Sequence, residues 1–126
     1  MRIVNRDEFL ALPTPFMYIK CDEYGNSVGE LSINCGSEKN DWVLNSCVFE
    51  PEFNNSGERF DTLGNMMSNH SLDVQVIDMN TTRDALYNEK QLFIIYSESD
   101  FKLFVETMQK YLAVYGKNED IDYISD

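Results

Sequence analysis

An uninterrupted apolar run, Leu92-Phe93-Ile94-Ile95-Tyr96, constrains the fold more than any other segment of the chain. A run of this length without polar alternation is typical of a strand that is covered on both faces. The segment after it has helical spacing of its apolar residues, which are Phe101, Phe104, Val105, Met108, Leu112 and Tyr115. We therefore expect a buried strand followed by a C-terminal helix that packs on the sheet. Phe104 and Met108 are expected to face that sheet, close to Phe93 and Ile95.

A short helix is predicted near the N-terminus. Asn5 is a suitable N-cap, and Glu8, three residues later, can complete a capping box. Val4 and Phe9 occupy the two positions of a hydrophobic staple. Prolines at positions 13 and 15 cannot continue a helix, so we expect the helix to cover residues 6–12.

Other segments have weaker local patterns. A middle helix is predicted from the cap at Asn55 to about residue 69, with Phe60, Leu63 and Met67 on one face. The alternation in residues 72–77 predicts a half-buried strand, and residues 81–87 are expected to form a helical turn. Three strand-like runs precede these segments: Phe16–Cys21, Ser27–Asn34 and Trp42–Phe49. The residues Glu23-Tyr24-Gly25-Asn26 form a plausible turn between the first two.

Together these elements predict an α+β fold with a mostly antiparallel sheet of about five strands. A short N-terminal helix, a middle helix and a C-terminal helix packed on one face complete it. The length of 126 residues allows one domain, which we place at residues 1–116. Residues 117–126 form an acidic tail that we expect to be mobile.

The charge of the chain restricts its partners. There are 22 acidic and 10 basic residues, which give a net charge of −12. Residues 1–20 carry three basic and two acidic side chains, so the excess lies in the rest of the chain. Such a surface repels nucleic acid and anionic membranes and attracts basic partners. Neither a long apolar segment nor a signal-peptide pattern is present, and we therefore expect a cytoplasmic protein.

Motifs for catalysis or metal binding are absent from the sequence. It contains no phosphate-binding or dinucleotide-binding glycine motif, no zinc-protease motif and no nucleophile elbow. Cys21, Cys35, Cys47 and His70 are separated by 13, 11 and 22 residues, without the close ligand pairs of a zinc site. We expect no metal, no disulfide, no cofactor and no enzymatic activity.

The stretch from residue 41 to residue 89 is the best candidate for a binding surface. It holds nine acidic residues and only two basic ones. Carboxylates projecting together could occupy a groove built for phosphates, because Lys and Arg in such a groove are placed to bind negative charge. Tyrosines in turn-like contexts could add aromatic anchors. The candidate partner-binding residues are Glu50, Glu52, Glu58, Asp61, Asp73, Asp78, Asp84, Tyr24 and Tyr87.

Several blocks of sequence resemble small uncharacterised proteins encoded by tailed bacteriophages. The opening Arg2–Pro13 is similar to theirs, and the likeness recurs in Asn55–Asp61, Arg83–Tyr87 and Gln91–Tyr96. At position 85 this chain has Ala where such proteins have Gly. The resemblance implies a phage accessory protein, a class that includes small acidic inhibitors of CRISPR and restriction systems.

We therefore expect a phage-encoded inhibitor that binds a basic bacterial defence protein, or a nucleoprotein complex, and blocks its nucleic-acid-binding surface. An alternative is a phage assembly or host-takeover adaptor, which binds a protein without competing with nucleic acid. A small hydrolase is a third possibility. The charge could also serve solubility alone.

Overall fold

A computed structural model describes residues 1–85 and 87–118. Within these residues the chain forms six strands and three helices. In chain order they are β1 (Arg2–Val4), α1 (Arg6–Ala11), β2 (Phe16–Cys21), β3 (Ser32–Ser37), β4 (Trp42–Ser46), α2 (Ser56–Ser68), β5 (Thr81–Asp84), β6 (Leu92–Ile95) and α3 (Glu98–Ala113). Residues 119–126, most of the predicted tail, lie outside the described part of the chain.

The strands form one antiparallel sheet in the order β1-β6-β2-β3-β4-β5. This arrangement confirms the predicted α+β class, with six strands in place of about five. Strand β6 lies between β1 and β2, and its residues Phe93, Ile94 and Ile95 are buried. The apolar run therefore forms a strand covered on both faces, as predicted.

The hydrophobic core lies on one face of the sheet, beneath helix α1. Phe9 of α1 is fully buried and stacks on Phe93 with their ring centroids 3.9 Å apart. Its ring also has edge contacts with Phe16, Tyr18 and Trp42 at centroid distances of 4.9–5.3 Å. Edge-to-face packing of this kind adds to the free energy gained from burying apolar area. One short helix thus supplies the central residue of the core.

Helix α1 begins where the capping pattern predicts. The Glu8 backbone N–H donates to Asn5 Oδ1 at 2.9 Å, and the Asn5 backbone N–H donates to Glu8 Oε1 at 3.2 Å. The staple residues Val4 and Phe9 are both buried. The helix ends at Ala11, just before the prolines.

The sheet curls around the core face. Neighbouring strands are about 4.8 Å apart, so β2 and β5, with two strands between them, would lie roughly 14 Å apart in a flat sheet. Nevertheless Lys20 of β2 forms a 2.8 Å ion pair with Asp84 of β5. The Lys20 ammonium also lies 5.7 Å from the ring centre of Trp42, which donates a 2.7 Å hydrogen bond to the Tyr18 hydroxyl. The curl brings these groups together over the core.

Four of the predicted elements need correction. Residues 72–77 alternate like a strand but form none, because no neighbouring strand pairs with them. Of the predicted turn 81–87, residues 81–84 form strand β5, since they pair with β4; Leu86 lies outside the described residues. Strand β3 starts at Ser32, not Ser27, although Ser27 forms an isolated bridge with Cys21. Strand β4 ends at Ser46. The three-residue strand β1 has no pattern of its own and depends on its pairing with β6.

Helix α3 lies on the opposite face of the sheet from α1. Its Phe104 and Met108 line one cavity together with Met17 and Leu31. The expectation that they pack near Phe93 and Ile95 is wrong, because those two side chains point into the α1 core and alternate residues face opposite sides. Ser97 caps the helix, since its hydroxyl accepts a 3.1 Å hydrogen bond from the Asp100 backbone N–H. Among the described residues, no helix is long and apolar enough to cross a bilayer.

Candidate protein-binding surface

Five of the predicted acidic residues lie in one region of the molecule. Glu50, Glu52 and Asp78 line an open groove of about 500 Å³ between the start of α2 and the start of β5. Glu58 and Asp61 stand on the first turns of the adjoining helix α2 but do not line the groove, and Asp61, two residues from the groove-lining Arg59, projects from the other side of the helix. We call these five residues the acidic surface.

The groove runs along the edge of the sheet. Strand β5 is the last strand on this side, and both Thr81 and Thr82 line the groove. Successive residues of a strand point to opposite faces, so a groove lined by both follows the strand's edge or its end. The acidic surface is therefore separate from the core face and the α3 face.

Two of the five carboxylates maintain the local structure. Arg59 donates from Nε and Nη2 to the two oxygens of Glu50, at 2.8 and 3.2 Å. This pairing lowers the pKa of Glu50 and raises that of Arg59. Glu58 accepts a 3.0 Å bond from the Asn54 backbone N–H, while its own N–H donates to the Asn55 side chain at 2.8 Å. Both carboxylates hold the segment 50–55 against the start of α2.

The other three carboxylates have charges that no cation within the described residues neutralises. Glu52 and Asp61 are exposed, and neither has a partner in that part of the chain. Asp78 accepts only the N–H of its neighbour Met79, at 2.8 Å. Charges of this kind can bind an external partner without loss of an internal contact. These three form the available part of the acidic surface.

The remaining predicted residues lie elsewhere. Asp73 is exposed in the irregular segment after α2. Asp84 pairs with Lys20, and its side chain is only 25% exposed. Tyr87 is 84% exposed in the β5–β6 connection, and Tyr24 is 81% exposed in the β2–β3 turn. The structure therefore brings three of the five acidic residues together in one groove, places Glu58 and Asp61 on the adjoining helix, and leaves both tyrosines apart from them.

The turn that carries Tyr24 is ordered by Asp22. The backbone N–H groups of Asn26 and Tyr24 both donate to Asp22 Oδ1 at 2.9 Å, and they lower the pKa of that carboxyl. Gly25 has a φ of +81°, a conformation that glycine adopts without strain. Tyr24 thus projects from a well-defined turn, as the sequence pattern predicts.

Sequence reasoning missed a second surface, the exposed apolar residues of α3. None of the 16 residues of this helix is buried. Leu112 is 72% exposed and Tyr115, just after the helix, is 79% exposed. The available signal is the row of seven apolar residues at helical spacing between Phe101 and Tyr115, but such a pattern does not show what covers it. We call Phe101, Phe104, Val105, Met108, Tyr111, Leu112 and Tyr115 the α3 stripe.

The described residues offer little for catalysis. No group of three or more His, Cys, Asp and Glu side chains among them is arranged to hold a metal ion. Cys21, Cys35 and Cys47 are free thiols, and burial raises the pKa of Cys21 and Cys47. A raised pKa makes a thiol a poorer nucleophile at neutral pH. The pKa of Glu50 is lowered, the wrong direction for a general acid at neutral pH.

Comparison with protein-family models finds no match, and comparisons with curated proteins and with solved structures find no significant similarity.

Proposed function

We propose that this protein is a non-enzymatic inhibitor, encoded by a bacteriophage, that binds a basic surface on a bacterial defence protein and excludes nucleic acid from it. The observation that carries the proposal is the acidic surface, where three carboxylates have no neutralising partner in the described chain. The resemblance to phage proteins supports the origin, and the net charge of −12 supports a basic partner.

The acidic surface suits this role because two of its carboxylates stabilise the local structure, whereas the other three have no cationic partner in the described chain. Glu50 and Glu58 hold the segment 50–55 in place. Glu52, Asp61 and Asp78 then meet Lys and Arg side chains that otherwise bind phosphates. Long-range attraction by the whole chain accelerates association, and the partner's nucleic acid is excluded by occupation of the same surface.

The adaptor function is a second candidate, and the α3 stripe favours it. An exposed row of large apolar residues is typical of a surface that binds another protein. Binding through such a surface depends weakly on salt, whereas binding through the acidic surface weakens as salt increases. The salt dependence of partner binding therefore separates the two candidates.

The test is inhibition of defence in living cells. The protein is expressed in bacteria that carry one defined CRISPR or restriction system, and plaque formation by a targeted phage is counted. Proteins that bind it are captured from the same cells and identified. We expect plaque numbers to rise, and we expect the captured protein to bind its nucleic acid less well in the presence of the inhibitor.

A reversal variant tests the acidic surface itself. Changing Glu52→Lys, Asp61→Lys and Asp78→Lys together should weaken partner binding about 3- to 150-fold, since each exposed charge pair contributes about 0.2–1 kcal/mol. The fold should remain, because none of the three has an ion-pair partner in the described chain. The matched control, Asp7→Lys, Glu23→Lys and Glu38→Lys, changes the net charge equally. Equal losses in both variants would show that only total charge matters, and full affinity of the first variant would exclude the acidic surface.

A further inference from the structure

The α3 stripe is too exposed to be explained by the packing of a single chain. Phe101, Val105 and Met108 remain 37–44% exposed although the helix lies against the sheet. Leu112 and Tyr115, at its C-terminal end, are 72% and 79% exposed. A contiguous apolar row of this kind on a folded protein marks an interaction surface.

The charges of α3 differ from those of the rest of the chain. Its first turn carries Glu98 and Asp100, and its last turn carries Lys110. Lys117 follows the helix, while Lys102 and Glu106 form an i,i+4 pair in between. The helix region is therefore neutral as a whole in a chain of charge −12. A basic partner gains no attraction from such a helix, which disfavours the partner of the acidic surface as the occupant of the stripe.

We propose that the occupant is a second copy of this chain, with the two α3 helices packed antiparallel about a two-fold axis. In this arrangement Glu98 in the first turn of each helix lies at the end where the other copy carries Lys117, so the two ends are complementary. Asp100 is already paired with the Met1 amino group of its own chain. Opposed helix dipoles add to this complementarity. A parallel arrangement would instead bring like charges together.

The spacing of the stripe also satisfies the two-fold axis. With the axis at Met108, Phe101 of one copy lies opposite Tyr115 of the other. Phe104 and Val105 then lie opposite Leu112 and Tyr111. Each apolar position of the stripe thus has an apolar counterpart across the axis, as an isologous interface requires. Phe104 and Met108 lie at the border that also faces Met17 and Leu31 of the same chain.

The expected dimer is weak and depends on concentration. A helix of 16 residues is about 24 Å long, so one helix pair buries less than the roughly 1,200–2,000 Å² of a stable interface. The net charge of each copy also opposes association at low salt. Screening should therefore strengthen the dimer as salt increases, the opposite of the change expected for partner binding by the acidic surface.

The first test is sedimentation velocity of the full chain from about 1 to 300 µM, a range chosen for a weak interface. We expect a shift from monomer to dimer for the natural sequence. The variant Leu112→Ser with Tyr115→Ser should raise the dissociation constant at least about tenfold, because the two-fold axis repeats the loss of both apolar contacts in each half of the interface. The matched control is Leu103→Ser, since Leu103 is 64% exposed on the same helix but outside the stripe. Circular dichroism of each variant shows whether it is folded.

A mixing experiment tests the antiparallel orientation. In the antiparallel register Glu98 lies close to Lys117 of the other copy, so Glu98→Lys brings two basic side chains together and Lys117→Glu brings two acidic side chains together. Each variant alone should dimerise about two- to fivefold more weakly than the natural chain, as expected for exposed charge pairs. An equimolar mixture should recover the natural affinity. For a parallel pair, each variant alone would associate as well as the natural chain.

Three results would overturn the proposal: a monomer at every concentration, a dimer that the stripe variant leaves unchanged, or charge variants that do not recover on mixing. None of these measurements uses a partner protein. The proposed inhibitor function can therefore fail while the dimer stands, and the reverse is equally possible.

Discussion

Helices α1 and α3 differ sharply in what they contribute to the fold. Helix α1 has 6 residues and places Phe9, which is fully buried, at the centre of the core. Helix α3 has 16 residues, and none of them is buried. Both begin with a complete capping box, so local signals at their N-termini are equally strong. A capping pattern and an apolar stripe therefore define a helix without showing what covers it.

The two faces of the sheet explain the difference. On the α1 face, Tyr18, Trp42 and Phe93 surround Phe9 with large rings. On the α3 face, Phe104 and Met108 share an open cavity with Met17, Leu31 and Tyr96. Because free energy of folding follows buried apolar area, most of it is expected from the α1 face. The α3 face has apolar area left for another molecule.

The largest effect should come from Phe9. Replacing it with Ala should lower the free energy of unfolding by about 3–5 kcal/mol, the usual cost of removing a buried phenyl ring. Leu112→Ala is the contrasting change, and its effect should stay within about 0.5 kcal/mol because the side chain is exposed. Urea denaturation followed by circular dichroism measures both, at a concentration low enough to avoid dimers.

A loss of 3–5 kcal/mol can prevent folding altogether in a small domain, whose total stability is about 5–15 kcal/mol. Phe9→Leu, which keeps much of the apolar volume, should remain folded and lose less. Similar losses for Phe9→Ala and Leu112→Ala would contradict the contrast between the two helices.

Sequence signals predict the elements that have strong local causes. The Asn5–Glu8 box and the two prolines define α1, the apolar run defines β6, and the helical spacing of apolar residues predicts α3. Strands β1 and β5 escape prediction because they have three and four residues, and each depends on its pairing with a neighbouring strand. The alternation in residues 72–77 fails for the converse reason, since no strand pairs with it.

The acidic surface shows the same limit. The excess of carboxylates between residues 41 and 89 is visible in the sequence. The sequence does not show which of these carboxylates already form ion pairs within the chain, because Glu50 pairs with a residue nine positions away and Asp84 with one 64 positions away. Only the folded chain separates these from Glu52, Asp61 and Asp78.

The second prediction uses the chemistry of the α1 face. Burial raises the pKa of Tyr18 to about 12 from 10.0, although the hydrogen bond from Trp42 partly opposes this shift. Between these values the unfolded chain releases the phenolic proton while the folded chain keeps it, so stability falls as pH rises. The expected loss from pH 10 to pH 12 is about 2 kcal/mol. Urea denaturation at a series of alkaline pH values measures it.

Tyr18→Phe should remove this part of the alkaline decline. The variant also leaves the buried Trp42 Nε1–H without its acceptor, so it should already be less stable at pH 7, and the slope is therefore the decisive quantity. Cys21 and Cys47 have raised pKa values as well, and their contribution, which has the same sign, should persist in the variant. Tyr115→Phe is the control on the α3 side. An unchanged slope in Tyr18→Phe would assign the alkaline loss to other groups.

A smaller loss than that of Phe9 should come from Phe104, where α3 meets the sheet. Phe104 is only partly buried, in the cavity that it shares with Met17 and Leu31. Phe104→Ala should therefore cost about 1–2 kcal/mol, below the range for a fully buried ring because part of its surface is already in water. A loss as large as that of Phe9→Ala would make α3 part of the core and weaken the case for a second copy on the stripe. A loss below about 0.5 kcal/mol would mean that the helix is not docked on the sheet in solution. An intermediate value would agree with the structure, in which one side of the α3 stripe packs on the sheet and the rest of the stripe is exposed.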